Sequence, residues 1–157
     1  MEAAITAAAA AAADYLRMAA ADGVLVRAAA AALALAEAFC GQRLIERRFD
    51  QPVVASPDWQ LLDEAPVRAI VAPVDGVALD IDRGGIGWVR TAATGTVSYT
   101  AGLAADWATV PAPIAQGVVL LAAHLFEHRD GRGEPPAAVA ALWRPYRRLR
   151  LATAVQR

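Results

Sequence analysis

The sequence predicts an α+β fold: mainly a helical bundle of about four helices, with a small antiparallel β-sheet or hairpin region inserted between the N-terminal and C-terminal helices. Three observations predict it. Apolar residues recur at helical spacing through 6–41, the period falls to about two through 44–100, and helical spacing returns in 110–129 and 135–150. At 157 residues, with no linker run and no internal repeat, the chain is expected to form one domain over 1–157. Alanine inflates the 57% hydrophobic content. The core must therefore rest on Leu, Val, Ile, Phe and Trp, each worth roughly 1.5–3 kcal/mol when buried.

The first helix is expected from about Thr6 through Met18, built on an alanine tract that favours helix but offers little to pack. Asp22 stands where an N-cap belongs, and Leu25, Ala28, Ala32, Ala36 and Phe39 follow on one stripe flanked by Leu35 and Cys40. Gly41 then suits the left-handed residue that ends a helix. In the central stretch Ile45, Arg47 and Phe49 alternate with charged neighbours, as Val77, Leu79 and Ile81 do with Ala78, Asp80 and Asp82. Asp75-Gly76 reads as a two-residue hairpin turn. Arg83-Gly84-Gly85 reads as the next turn, before strands at 86–90 and 96–100. Pro52, Pro57, Pro66 and Pro73 mark edges and loops, since proline cannot donate to a ladder.

Thr109 is the expected N-cap of the third helix, with Pro111 in its first turn and an end near Arg129. Asp130-Gly131-Arg132-Gly133 reads as a loop, and Pro135-Pro136 as the start of a last helix that Pro145 must interrupt. The residues expected to pack the helices are Leu25, Phe39, Ile114, Val118, Leu121, Leu125 and Phe126.

Charge is unevenly spread. Arg144, Arg147, Arg148, Arg150 and Arg157 close the chain with no acid among them, leaving ten arginines against all sixteen acids elsewhere. A basic end on an acidic body suits docking on something negative: another subunit, a partner protein or nucleic acid. Interleaved with Tyr146, Leu149 and Leu151, these arginines read three ways: phosphate contacts with one stacking ring, an interface peptide, or a solvated amphipathic end. The net charge of -1 speaks against a dedicated nucleic-acid binder.

Several function classes find no support. One cysteine, Cys40, excludes an internal disulfide and a cysteine-rich metal site, and reads as a small buried hydrophobe. No charged leader precedes an apolar run, and the stretch 107–123 is broken by Pro111, Pro113 and Gln116, so a soluble protein away from membranes is expected. His124-Leu125-Phe126-Glu127-His128 matches an H-x-x-E-H zinc motif, yet these are the sole histidines and a catalytic zinc needs a third ligand. Its alternative is one histidine packed on the apolar stripe and one at the helix C-terminus, where partial positive charge is welcome. Without lysine no phosphate-binding P-loop exists, and Gly84-Gly85-Ile86-Gly87 falls between strands. Asp75, Asp80 and Asp82 read either as a hard-cation site or as a solvated strand face. Ser56 and Ser98 lack any histidine–carboxylate context.

The order of features resembles a known family. Val97-Ser98-Tyr99-Thr100-Ala101-Gly102, then Val110-Pro111, Ile114 and Gln116, precede an apolar helix ending His124-Leu125-Phe126-Glu127-His128-Arg129. Pro135-Pro136 and Leu142-Trp143-Arg144-Pro145-Tyr146-Arg147 complete the C-terminal part; Leu16-Arg17-Met18 and Phe39-Cys40-Gly41-Gln42-Arg43-Leu44-Ile45 supply the N-terminal part. This is similar to the head–tail connector (adaptor, or head-completion) proteins of long-tailed bacteriophages and gene transfer agents. Departures are Gly117, where a helix-favouring residue is expected, and the alanine tract.

The resemblance implies a non-enzymatic virion protein of the particle neck, made in the host cytoplasm and free of cofactors. It implies a self-ring of twelve copies beneath the portal protein, extending a channel through which DNA passes without sequence-specific binding. The ring would present a surface to the next neck (stopper) protein. The segment 142–151 is then expected to dock on the portal or another partner, using Leu142, Trp143, Arg144, Tyr146, Arg147, Arg148, Arg150 and Leu151. Trp143 and Tyr146 are the anchors in this expectation.

Overall fold

Among the described residues, four helices and six strands follow in the order α1 (Glu2–Tyr15), α2 (Gly23–Cys40), β1 (Arg47–Val53), β2 (Ser56–Leu61), β3 (Val67–Ile70), β4 (Val77–Ile81), β5 (Gly87–Thr91), β6 (Gly95–Ala101), α3 (Ala112–Glu127) and α4 (Ala137–Trp143). The computed structural model describes residues 1–71, 76–129 and 133–148. Of the sequence expectations, Asp75 and the first three residues of the 130–133 loop lie outside the described residues, as do Arg150 and Leu151. The chain divides into a β unit, Met1–Ala4 with Gln42–Pro111, and a helical unit, Ile5–Gly41 with the residues from Ala112 onward.

In the helical unit α2 is punctuated as the sequence predicts. Asp22 is extended and its carboxylate accepts from the Val24 and Leu25 N–H groups at 2.9 and 2.8 Å. Gly41 ends the helix at φ 63°. The buried face is Leu25, Ala28, Ala29, Ala32, Leu33, Ala36 and Cys40, and it lies along α3. Leu33 therefore faces inward while Leu35, expected beside the stripe, is 50% exposed. By length and composition α2 is also apolar enough to cross a membrane; its Arg27 and Glu37 and this packed alanine face make it a core helix instead. Of the residues expected to pack the helices, Leu25, Ile114, Val118 and Leu121 are buried; Phe39, Leu125 and Phe126 are half-buried.

Helix α1 starts at Glu2 and stops at Tyr15, earlier at both ends than expected. The stop is explained by Arg17, which takes the left-handed conformation (φ 59°), with the Met18 N–H reaching back to the Ala13 carbonyl at 2.9 Å. The alanine tract is not idle, because Ala8, Ala9, Ala12 and Ala13 are buried on one face.

The β unit holds two three-stranded antiparallel sheets, ordered β1-β6-β3 and β2-β5-β4, where the sequence suggested one. β2 and β3 are the strands for which the sequence raises no specific expectation. Pro52 lies within β1 and Pro57 within β2, and both strands are sheet edges, as expected of prolines, where a missing donor is tolerated. Val53, Leu62, Val67, Val89, Val97, Tyr99 and Ala101 form one core drawn from both sheets. The Tyr99 ring stacks on Phe49 at 5.8 Å. Its hydroxyl donates to Gln51 Oε1 at 3.2 Å and accepts from the Glu64 N–H at 3.1 Å, so the buried phenol is satisfied.

A Cβ on Gly102 would lie 2.3 Å from the Glu46 backbone, so the Tyr99–Gly102 run is a packing motif. The carbonyls of Gly102 and Leu103 accept from the Arg68 guanidinium. Thr109 does not cap α3. It closes a capping box with Asp106 around a 3-10 turn, Trp107–Thr109, and α3 begins after Pro111.

Candidate docking surfaces

The C-terminal segment is built from α4 outward. Pro145 has no N–H to continue a helix, so the chain tightens into a 3-10 turn at Arg144–Tyr146 and is extended by Arg147. The Arg148 N–H then donates to the Cys40 carbonyl at 2.8 Å. The final carbonyls of α2 have no partner within the helix, and this donor from a distant segment satisfies one of them. Gly41 is required at the junction, since a Cβ there would sit 2.6 Å from the Arg148 carbonyl oxygen.

Trp143 corrects the expectation that it is a surface anchor. It is 3% exposed, and its indole N–H donates to the Ile114 carbonyl at 3.2 Å. The ring lies over Gly117, where a Cβ would come within 2.2 Å of Nε1, and tilts against Phe39 at 5.8 Å between centroids. Trp143 thus fastens α4 to α3. Outward-facing groups of the segment are Arg144 and Arg147, with Leu142, Tyr146 and Arg148 half-buried. The Arg147 guanidinium lies 5.8 Å from the centre of the Phe39 ring.

Beside this segment an apolar groove of about 420 Å³ opens in the helical unit, walled by Leu35, Phe39, Leu121, Pro135, Pro136 and Val139. A second exposed surface lies in the β unit. Pairing sets Leu61 opposite Trp88 and Trp88 opposite Asp80, while Arg90 faces Ala78. These residues lie on the face of β2-β5-β4 turned away from buried Val89. Trp59 is 43% and Leu61 39% exposed there, and the Arg90 guanidinium rests 5.1 Å over the Trp59 ring. The sequence reading assigns no strand to 56–61, with Pro57 marking only an edge or loop, so it does not anticipate this face. The apolar–polar–apolar order of Trp59, Gln60 and Leu61 was the available signal.

The remaining motifs resolve as structure. His124 and His128 stack at 4.3 Å, and His128 Nδ1 lies 3.0 Å from the His124 carbonyl oxygen. Among the described residues no third His, Cys, Asp or Glu joins them. Asp82 is a turn residue, its carboxylate accepting the Ile86 N–H at 2.8 Å. Cys40 is fully buried, which pushes its thiol pKa up to about 11.

Solved structures decide what this architecture belongs to. A chain from the neck of an empty gene transfer agent (GTA) particle, computed with C6 symmetry, is 25% identical and superposes with a TM-score of 0.73, covering 92% of this chain and 91% of that one. A chain from the neck of a native GTA particle, computed with C12 symmetry, is 29% identical with a TM-score of 0.67, over 84% and 86%. A third, from the virion of a native GTA particle, is 29% identical with a TM-score of 0.62, over 82% and 79%. The chain shares its fold with these gene transfer agent neck chains, in keeping with the head–tail connector resemblance. No protein-family model and no curated protein matches the sequence. As a neck protein it is a structural component rather than an enzyme. The Tyr99–Gly102 run and Trp143 then read as the framework of a neck subunit.

Proposed function

We propose that this neck protein acts as one connector subunit over its 157 residues. Twelve copies form a ring under the portal, extend the DNA channel and offer the next neck protein its docking surface. The observation that carries this reading is the likeness to a neck chain over 92% of this chain and 91% of that one, with both units included. The symmetries of the matched necks, C6 and C12, favour a ring of copies. An acidic β unit, with nine acids to six arginines over 42–111, suits a wall that DNA slides past without being gripped.

The basic segment is the end we assign to the portal, through Arg144, Tyr146 and Arg148, with Arg150 and Leu151 beyond the described residues. Trp143 supports it from inside the helical unit. Deleting the gene in a producing cell and imaging the particles tests the function. Heads should accumulate without attached tails, and complementation should restore the joined particle. Normal tailed particles from the deletion strain would overturn the reading. The charge reversals Arg144→Glu and Arg148→Glu should lower incorporation at least tenfold while the subunit stays folded.

A further inference from the structure

A closed ring of identical subunits is built from heterologous contacts, so each copy must carry two different surfaces that fit each other. Among the described residues, each unit of this chain exposes an apolar surface. The groove of the helical unit offers Leu35, half exposed, beside Phe39. The outer sheet face of the β unit offers Trp59 and Leu61. Exposed Arg147 reaches over the Phe39 wall of the groove, whereas the sheet face carries exposed Asp80, with Asp58 beside Trp59 in the chain and Arg90 already held over the Trp59 ring. The units differ in net charge: 42–111 carries nine acids to six arginines, and 5–41 with 112–157 carries six acids to nine.

We infer that the Trp59–Leu61 face of one copy seats in the Leu35–Phe39 groove of the next, with Asp80 turned toward Arg147, and that this contact closes the ring. The inference rests on the ring reading above and names its surfaces. Tryptophan and arginine are the residues that most often dominate interface energetics, and Trp59 with Arg90 stacked on it is such an anchor. Charge pairing at the rim fixes which surface meets which, and so favours head-to-tail closure over a symmetric dimer.

The test uses the full chain in assembled particles. Leu35→Cys and Trp59→Cys are placed together in one chain and treated with a short bis-maleimide. Both positions are exposed, and buried Cys40 does not compete. A ladder of linked subunits, from dimer upward, is expected from the double variant, with neither single variant linking. Subunits carrying one change each, co-expressed, should link only into dimers.

No ladder from particles that contain the double variant would overturn the contact, as would a link within one chain. Single variants that link as well as the double would overturn it too, because that outcome means like surfaces meet. Absence of the unaltered protein from the particle would instead sink the neck reading itself. Should the variants not be incorporated, a reconstruction of the unaltered neck decides: Trp59 must contact Leu35 of the adjacent copy, and its placement elsewhere refutes the proposal.

Discussion

Gly117 and Trp143 are a matched pair: the absent side chain on α3 is the space the indole of α4 occupies. A Cβ at Gly117 would come within 2.2 Å of Trp143 Nε1, and that nitrogen is already committed to the Ile114 carbonyl at 3.2 Å. Gly117→Ala should therefore cost about 1–3 kcal/mol by overpacking. Trp143→Ala should cost about 3–5 kcal/mol by cavity formation. The effects should not add. With Trp143 already alanine the clash is gone, and Gly117→Ala should then gain up to about 1 kcal/mol of helix propensity. Urea unfolding of the four proteins checks the sign reversal.

The same pair changes how the portal segment must be probed. Truncation after Ala141 removes Trp143 together with the arginines, and should lower the urea midpoint of the helical unit as Trp143→Ala does. Arg144→Glu should leave the unfolding free energy within about 0.5 kcal/mol of the parent, as surface changes do. Equal midpoints for the truncated and parent chains would show that the indole does not hold α4.

Two left-handed glycines should respond unequally to alanine. At Gly76 (φ 75°) a Cβ meets nothing within 4 Å among the described residues, so Gly76→Ala should cost mainly the conformational part, about 1–2 kcal/mol. At Gly41 (φ 63°) the new carbon would also press on the Arg148 carbonyl oxygen at 2.6 Å and strain the Arg148–Cys40 hydrogen bond. Gly41→Ala should therefore be clearly the worse of the two in thermal unfolding.

Arg17 holds a left-handed conformation that glycine adopts freely, and its side chain is exposed. Arg17→Gly should stabilise the protein by about 0.5–1 kcal/mol, whereas Arg17→Ala should bring no gain. Calorimetry that ranks the two variants alike would refute this.

Cys40 gives a pH dependence with a defined sign. Its thiol pKa is raised from 9.0 to about 11, so the folded protein keeps a proton that the unfolded chain releases. Stability should be flat below that window, then fall as pH rises from 9 to about 11, by at most about 1.4 kcal/mol per pH unit from this group. Native protein should resist iodoacetamide near neutral pH and react once urea unfolds it. A Cys40→Ala variant should lose this component of the alkaline slope.

Helix ends and turns were legible in the residues because their determinants are local. Asp22 and Gly41 bracket α2, Arg83-Gly84-Gly85 turns β4 into β5, and Pro145 ends α4, each through its own backbone chemistry. Contacts between distant segments were not legible. Nothing near Gly117 in sequence announces Trp143, so an inward-facing anchor was read as an outward one. The Leu33–Leu35 reversal has the same origin, since an alanine-rich stripe is consistent with more than one helix rotation. β2 was not anticipated, because Pro57 marks an edge or a loop without deciding which. The Trp59 face was lost with it.

Helix α2 is fixed at both ends, by the Asp22 carboxylate and by the turn at Gly41, which makes it a measured rod of 18 residues, about 27 Å long. Its far end delivers the Cys40 carbonyl to the Arg148 N–H. Removing one alanine from the middle would shorten the rod by about 1.5 Å and rotate everything past the cut by about 100°. The carbonyl would then point away from Arg148, and the basic segment would lose its mooring although no residue in it had changed.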